Sequence, residues 1–199
     1  GRAYAMAFSS VQMMKNLSLW KKLEDSAHAI SNIKVSHGTI ERGPASATLQ
    51  FNSADIEENP MVQMLEDRFL RQCLNHEIKE NTRIDLIEQR KINDIIDLNE
   101  QKELSLDNSS KLKASLIVAS DGINSPLAKE FGIRKTGWEY KQRGLVCAVN
   151  HEYSSDNTAY QYFLPEGPLA ILPIKSNTAS IVWTESIQNA STISEMDDV

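Results

Sequence analysis

The stretch Leu116-Ile117-Val118-Ala119-Ser120-Asp121-Gly122-Ile123-Asn124-Ser125-Pro126-Leu127 sets the reading of this chain. An apolar run of strand type ends abruptly at an acid and a glycine. Its centre, Ser115 to Ala119, is nearly all apolar, the pattern of a strand buried on both faces. The polar exit admits two readings. Asp tolerates a bend and Gly supplies positive φ, so the pair makes a simple tight turn. Alternatively, ligands of α/β folds gather at the carboxyl ends of strands, where a glycine lets backbone approach a cofactor and a carboxylate accepts hydrogen bonds from ribose. Ser125 is placed to cap the short helix that follows.

The flanking sequence alternates between α and β patterns. Val11, Met14 and Leu17 recur at helical spacing after Ser9-Ser10, predicting a capped helix over 10–24. Residues 33–40 and 45–51 read as two strands around a turn containing Gly43-Pro44. Met61 to Leu65 reads as a short extended piece. Asp67 then opens a helix with Phe69, Leu70, Cys73, Leu74 and Ile78 on one face. From Arg83 to Asp107, short alternating charged runs predict hairpin strands with one wet face. After Phe131, four further strands (LVCAVN, TAYQYFL, PLAILPI, ASIVWT) are separated by polar turns, and the polar tail from Glu185 to Val199 reads as the start of a further helix or as a disordered end. The fold class is mixed α/β with a long antiparallel sheet in the C-terminal half.

Composition narrows the function classes. A net charge of −6 argues against a nucleic-acid surface, and Lys15, Lys21 and Lys22 read as a solvated helix face. Two cysteines, Cys73 and Cys147, and four scattered histidines form no metal spacing, so two buried thiols in a reducing compartment are expected. No stretch reaches the roughly 20 apolar residues of a membrane-spanning helix. The chain starts at Gly1 rather than Met, which suggests a fragment of something longer.

Three blocks beyond the Asp-Gly turn carry a resemblance: Trp138-x-Tyr140-x-Gln142, Phe163-Leu164-Pro165-x-Gly167-Pro168-Leu169-Ala170-x-Leu172-Pro173, and Val182-Trp183. In this order and spacing the chain resembles the flavoprotein monooxygenases of ubiquinone biosynthesis, FAD-dependent aromatic hydroxylases of the p-hydroxybenzoate hydroxylase type. Gly1-Arg2-Ala3, Leu19-Trp20 and Met64 to Leu70 extend the likeness backward, so that it runs from Arg2 to about Glu185. The resemblance implies a partial FAD-binding domain over 1–135, with the family's Asp-Gly motif at 121–122, and an incomplete substrate-domain sheet over 136–199. The family's GxGxxG loop, which cradles the FAD pyrophosphate, and its later Gly-Asp motif have no counterpart among the eight glycines. Where many relatives carry Arg after the motif's serine, this chain has Ala128, followed by Lys129.

By that resemblance, Arg2, Arg68, Asp121 and Gly122 are cofactor-binding, and Tyr162, Phe163, Pro165, Gly167 and Pro168 line the substrate site. From the residues alone, Arg2 and Arg68 also read as exposed arginines, the Tyr160–Phe163 strand as a sheet with a buried aromatic face, and Trp138 and Trp183 as core. No nucleophile or metal ligand is required, because in this family the flavin does the chemistry. The implied cofactors are FAD and NAD(P)H, with FAD not retained by the fragment alone. The implied partners are a polyprenyl-phenol quinone precursor, a ubiquinone-biosynthesis complex and a second copy of the chain. The implied location is the cytoplasm or the inner-membrane surface, on the matrix side in a eukaryote. A truncated flavoprotein fold that oligomerises or binds a partner without catalysis is the alternative, and a hydroxylase of a small phenol a third.

Overall fold

A computed structural model describes residues 2–55, 60–154, 156–175 and 177–196. The chain divides into two units, Gly1–Glu80 with Glu139–Val199, and Asn81–Trp138.

The first unit opens with strand β1 (Ala3–Ala7) and helix α1 (Phe8–Asn16). The helix begins at the last paired residue of β1, so Ser9 and Ser10 lie inside it and cap nothing. It also stops eight residues short of the predicted end. Ser18 takes φ 59°, and the Leu19 amide reaches back to the Met14 carbonyl at 2.9 Å. That left-handed exit is a common helix stop. Two 3-10 turns, Trp20–Lys22 and Glu24–Ser26, then carry the chain to β2 (Ala27–Ile30).

Strands β3 (Asn32–Thr39) and β4 (Gly43–Asn52) form the predicted hairpin. β5 (Val62–Glu66) runs into α2 (Asp67–Glu80). The Asp67 amide donates to the Arg2 carbonyl (2.9 Å) and the Tyr4 hydroxyl donates to the Asp67 carboxylate (2.5 Å), so β1 fixes the helix start. A three-stranded antiparallel sheet has the order β1-β5-β2. Against it, Met6, Val11, Met14, Leu19, Trp20, Leu23 and Leu65 form one core, onto which Phe69, Leu70, Cys73 and Leu74 of α2 pack as the helical spacing predicts.

A six-stranded sheet joins β3 and β4 to the C-terminal strands β9 (Gln142–Asn150), β10 (Thr158–Leu164), β11 (Gly167–Lys175) and β12 (Thr178–Ser186) in the order β4-β3-β10-β11-β12-β9. Helix α4 (Ile187–Ser194) follows, capped by the Ser186 side chain. All neighbours are antiparallel except β3 and β10, which run parallel. The sheet thus draws on residues before 80 and after 139, and is not confined to 136–199. The long-range β3–β10 ladder, from Thr158↔Asn32 to Phe163↔His37, is the reason. One face of this sheet packs on the smaller one: Ile33, Ala159 and Leu172 meet Ile30, Met64 and Val62.

The second unit holds a meander, β6 (Ile92–Asp97), β7 (Lys102–Leu106) and β8 (Lys111–Ala114), with Leu104 and Leu106 buried. Its ladder corrects two expectations. Residues 83–89 form no strand: Asn81 turns the chain, accepting from the Arg83 and Ile84 amides. Ser115 to Ala119 is not a doubly buried strand either. β7 begins at Lys102, whose partner is Ala114, so residues after 114 run past the end of the ladder. Leu116 and Val118 are 77% and 74% exposed. The chain then reaches α3 (Pro126–Glu130).

Two smaller expectations also change. Cys147 is exposed on edge strand β9, while Cys73 is half-buried; both are free. Trp138 is 73% exposed rather than core. Trp183 is half-buried in the sheet, and Lys15, Lys21 and Lys22 are solvated as predicted, with Lys22 paired to Glu77.

Candidate functional site

Side chains alternate across a strand, so the face of the six-stranded sheet opposite Ile33, Ala159 and Leu172 carries their neighbours. The registers align Tyr160 with Ile171 and Ile181, and Tyr162 with Leu169 and Trp183. The Tyr160 and Tyr162 rings stack, 6.3 Å apart and 13° from parallel. Lys34 Nζ lies 5.9 Å from the centre of the Tyr160 ring. The Trp183 indole N–H is buried with no acceptor among the described residues, a donor left over on this face.

At one end of this face is a cavity of about 250 Å³ lined by Tyr162, Leu164 and Leu169 with Ile40, Pro44 and Gly38. Its far wall is the β3–β4 turn. Gly38 is required there: a Cβ would lie 2.3 Å from the Gly43 carbonyl oxygen. Burial, and then the neighbouring Tyr160, push the Tyr162 phenol above the usual tyrosine range. It therefore stays protonated at neutral pH and is available as a hydrogen-bond donor. An apolar, aromatic cavity with one phenol donor suits a planar ring bearing an oxygen.

The predicted substrate residues divide between the two faces. Tyr162 and Gly167 lie on the cavity side, Gly167 opposite Leu164. Phe163 and Pro168 pair with each other on the other face, turned away by strand alternation, with Phe163 55% exposed. Phe163 instead lines a separate concavity with Val35, His37 and Leu49. Pro165 is exposed in the β10–β11 turn. The wall supplied by Gly38, Ile40 and Pro44 was not foreseen. The Gly43-Pro44 turn was legible, but the parallel pairing that carries it to Tyr162 was not.

Each expected cofactor residue has a definite local setting. Gly122 takes φ 86°, and nothing lies within 4 Å of where its Cβ would be, so backbone is open to a ligand. The Ser125 hydroxyl bonds the Asp121 carboxylate and, with the Asp121 and Leu127 backbone amides and the Lys135 charge, holds it below the usual carboxylate range. Ser125 also accepts from the Ala128 amide at 2.9 Å, the predicted cap. Asp121 is thus an ionised acceptor in a preformed turn, an arrangement that fits a ribose hydroxyl as donor. Arg68 is engaged already: its guanidinium meets Glu66 through two nitrogens at 3.0 Å and stacks on Phe69 at 4.6 Å. Arg2 is exposed, and its charge helps depress Asp67, behind hydrogen bonds from Tyr4 and Arg71. Arg2 lies beside the start of α2 and Arg68 in its first turn, both in the first unit, whereas Asp121 and Gly122 belong to the second. Among the described residues no His, Cys, Asp or Glu cluster could hold a metal, and no helix is long and apolar enough to cross a membrane.

No protein-family model matches the chain. It is 30% identical over 186 residues to the ubiquinone hydroxylase UbiL of Rhodospirillum rubrum, covering 93% of this chain and 42% of that protein. It is 25% identical over 217 residues to the mitochondrial ubiquinone biosynthesis monooxygenase COQ6 of Dictyostelium discoideum, covering 95% and 43%. The chain therefore spans less than half the length of these relatives. Its structure matches that of PqsL, a probable FAD-dependent monooxygenase from Pseudomonas aeruginosa, with a TM-score of 0.81 at 15% identity over 96% of this chain and 52% of that one. The protein is a homologue of the ubiquinone-biosynthesis monooxygenases and has the fold of the FAD-dependent monooxygenases.

Proposed function

We propose that this chain forms the substrate-facing sheet and the Asp-Gly turn of a flavoprotein that hydroxylates a polyprenylated phenol in ubiquinone biosynthesis, using FAD and NAD(P)H. The observation that carries the reading is the cavity on the aromatic sheet face, lined by Tyr162, Leu169 and the β3–β4 turn. Homology to a ubiquinone hydroxylase and a ubiquinone-biosynthesis monooxygenase supports the reaction class.

The flavin, when bound, supplies the electrons and the activated oxygen. The chain's own residues bind and orient. Leu164, Leu169 and Ile40 offer the ring apolar surface, and the protonated Tyr162 hydroxyl donates to its oxygen. Asp121 accepts from a ribose hydroxyl while Gly122 lets the flavin nucleotide approach the backbone. Arg2 faces the flavin phosphates, and Arg68 orders the entry to α2 through Glu66. The sheet-bearing unit and the segment holding the turn are the substrate and cofactor parts of the enzyme. The polyprenyl tail places the reaction at a membrane surface, where the protein works as a homo-oligomer or with other enzymes of the pathway.

The test is oxygenation by the complete gene product. Loaded with FAD and given NADPH or NADH, a prenylated phenol and ¹⁸O₂, it incorporates one ¹⁸O into the ring. Flavin reduction without ¹⁸O in any prenylated phenol would overturn the substrate; a product that binds no flavin would overturn the reading altogether.

A further inference from the structure

One titratable group inside the first unit takes no part in the site above. His28 sits in β2, opposite Met64 of β5. Strand alternation puts it on the same side as Ile30, the side that packs on the six-stranded sheet. The surroundings there are apolar. Ile30 and Met64 are each 1% exposed, and Val62, Ala159 and Leu172 complete the contact. The His28 Nε2 atom is buried with no partner among the described residues. Few charges reach it from the neighbouring elements. β5 brings Glu66 on the same side, two residues beyond Met64, but its carboxylate is taken by Arg68. β11, which crosses β2, carries one charge, Lys175, exposed at its end. Glu24 and Asp25, in the turn that enters β2, are exposed.

A neutral imidazole leaves one ring nitrogen here without a hydrogen bond, a modest cost. Protonation puts an N–H on both nitrogens, so a charged donor then points into the contact with no acceptor in place. Burial accordingly holds the His28 imidazole below the usual histidine range. Once the two sheets part, the ring is solvated and takes its proton at about pH 6.5, whereas the closed contact takes it only at lower pH. The closed form is therefore fully favoured above that value and loses ground as pH falls through it. Ordinary carboxylates titrate at about pH 4, below this window. We propose that His28 is a pH latch between the two sheets: neutral, it lets β2 and β5 lie against β11, and protonated, it opens that contact and releases the small sheet that leads into Arg68 and α2. The latch needs neither flavin nor phenol, so it and the hydroxylase reading can fail separately.

The test is an NMR titration of the chain from about pH 7.5 to about pH 4.5, with histidine rings and methionine methyls labelled and a soluble nitroxide present. The ring resonance reports protonation, and relaxation of a methyl by the nitroxide reports its exposure. The His28 midpoint is expected below about 6.5. Relaxation of the Met64 methyl, 1% exposed in the closed form, is expected to rise with that same midpoint, by about threefold or more. Met13, 52% exposed on α1, is the reference and should stay constant. In His28→Gln, which cannot take the proton, Met64 should keep its neutral-pH value throughout. The wild-type titration stands without the variant, even where His28→Gln folds poorly. A His28 midpoint at or above about 6.5, no protonation of His28 above about pH 4.5, a Met64 methyl that stays shielded while His28 protonates, or an equal rise in His28→Gln would each overturn the proposal.

Discussion

Replacing Gly38 by alanine tests the cavity wall and the hairpin together. A Cβ there would sit 2.3 Å from the Gly43 carbonyl oxygen and 3.1 Å from the Pro44 Cα. Carbon–oxygen contacts settle at about 3.3 Å or more, so the two strands must part by roughly 1 Å. The atoms in the way are backbone, with no flexible side-chain end to swing aside. Gly43 already holds φ 71°, which limits its ability to retreat. The pairings Gly38↔Pro44 and Thr39↔Gly43, just past the register shift, are the ones strained. Overpacking of this kind costs about 1–3 kcal/mol. Stiffening the unfolded chain returns about 0.4–1 kcal/mol, so a net loss of roughly 1–2 kcal/mol is expected. Urea unfolding followed by tryptophan fluorescence measures it, since Trp20 and Trp183 both lie in this unit. Gly144→Ala is the control, in the same sheet on β9 with nothing within 4 Å of its Cβ. It should be neutral or slightly stabilising. Equal stability of Gly38→Ala and Gly144→Ala would refute the close approach and with it this wall of the cavity.

Leu65→Ala, at a side chain 0% exposed in the core under β1 and α1, should cost about 2–5 kcal/mol by urea unfolding, against under about 0.5 kcal/mol for Leu49→Ala at an exposed site. Ser125→Ala removes the cap of α3 and should cost about 1 kcal/mol locally, read as faster amide exchange at Ala128. Asp67 is depressed first by the Tyr4 hydroxyl and then by Arg71. Its contribution is therefore present above the ordinary carboxylate pKa of about 4 and is lost as pH falls through the lower folded value. Tyr4→Phe should raise the Asp67 pKa, seen by NMR titration, and shrink that acid-side loss; an unmoved pKa would contradict the hydrogen bond.

Short-range chemistry made much of this fold legible. The β9–β12 strands alternate between polar turns, α2 shows Phe69, Leu70, Cys73 and Leu74 at helical spacing, and Ser125 precedes Pro126 as a cap should. What stayed hidden depends on residues far apart or on backbone choices that composition does not dictate. The parallel β3–β10 ladder joins residues over 120 positions apart, so nothing local to Tyr162 announces Ile40 and Pro44. Ser18 ends α1 in a left-handed conformation usually given to glycine. Leu116 to Ala119 has the composition of a buried strand, but pairing ends where β7 ends, and composition carries no information about a neighbour's length. The site fared likewise: the Asp121-Gly122 turn and Tyr162 could be named from sequence, whereas the separation of Tyr162 from Phe163 follows only once the sheet shows which face holds the cavity.

The aromatic cavity as a phenol site is tested most directly by faces. A soluble short-chain prenylated phenol is titrated into the wild-type chain, Tyr162→Ala and Phe163→Ala, with affinity read by saturation-transfer NMR. Tyr162 lines the cavity and Phe163 points to the opposite face one residue later. Tyr162→Ala is expected to lose about tenfold or more in affinity, as a ring contact and a hydrogen bond go together, while Phe163→Ala stays within about twofold. Loss at Phe163 with Tyr162 unaffected would move the phenol to the other face and contradict the account.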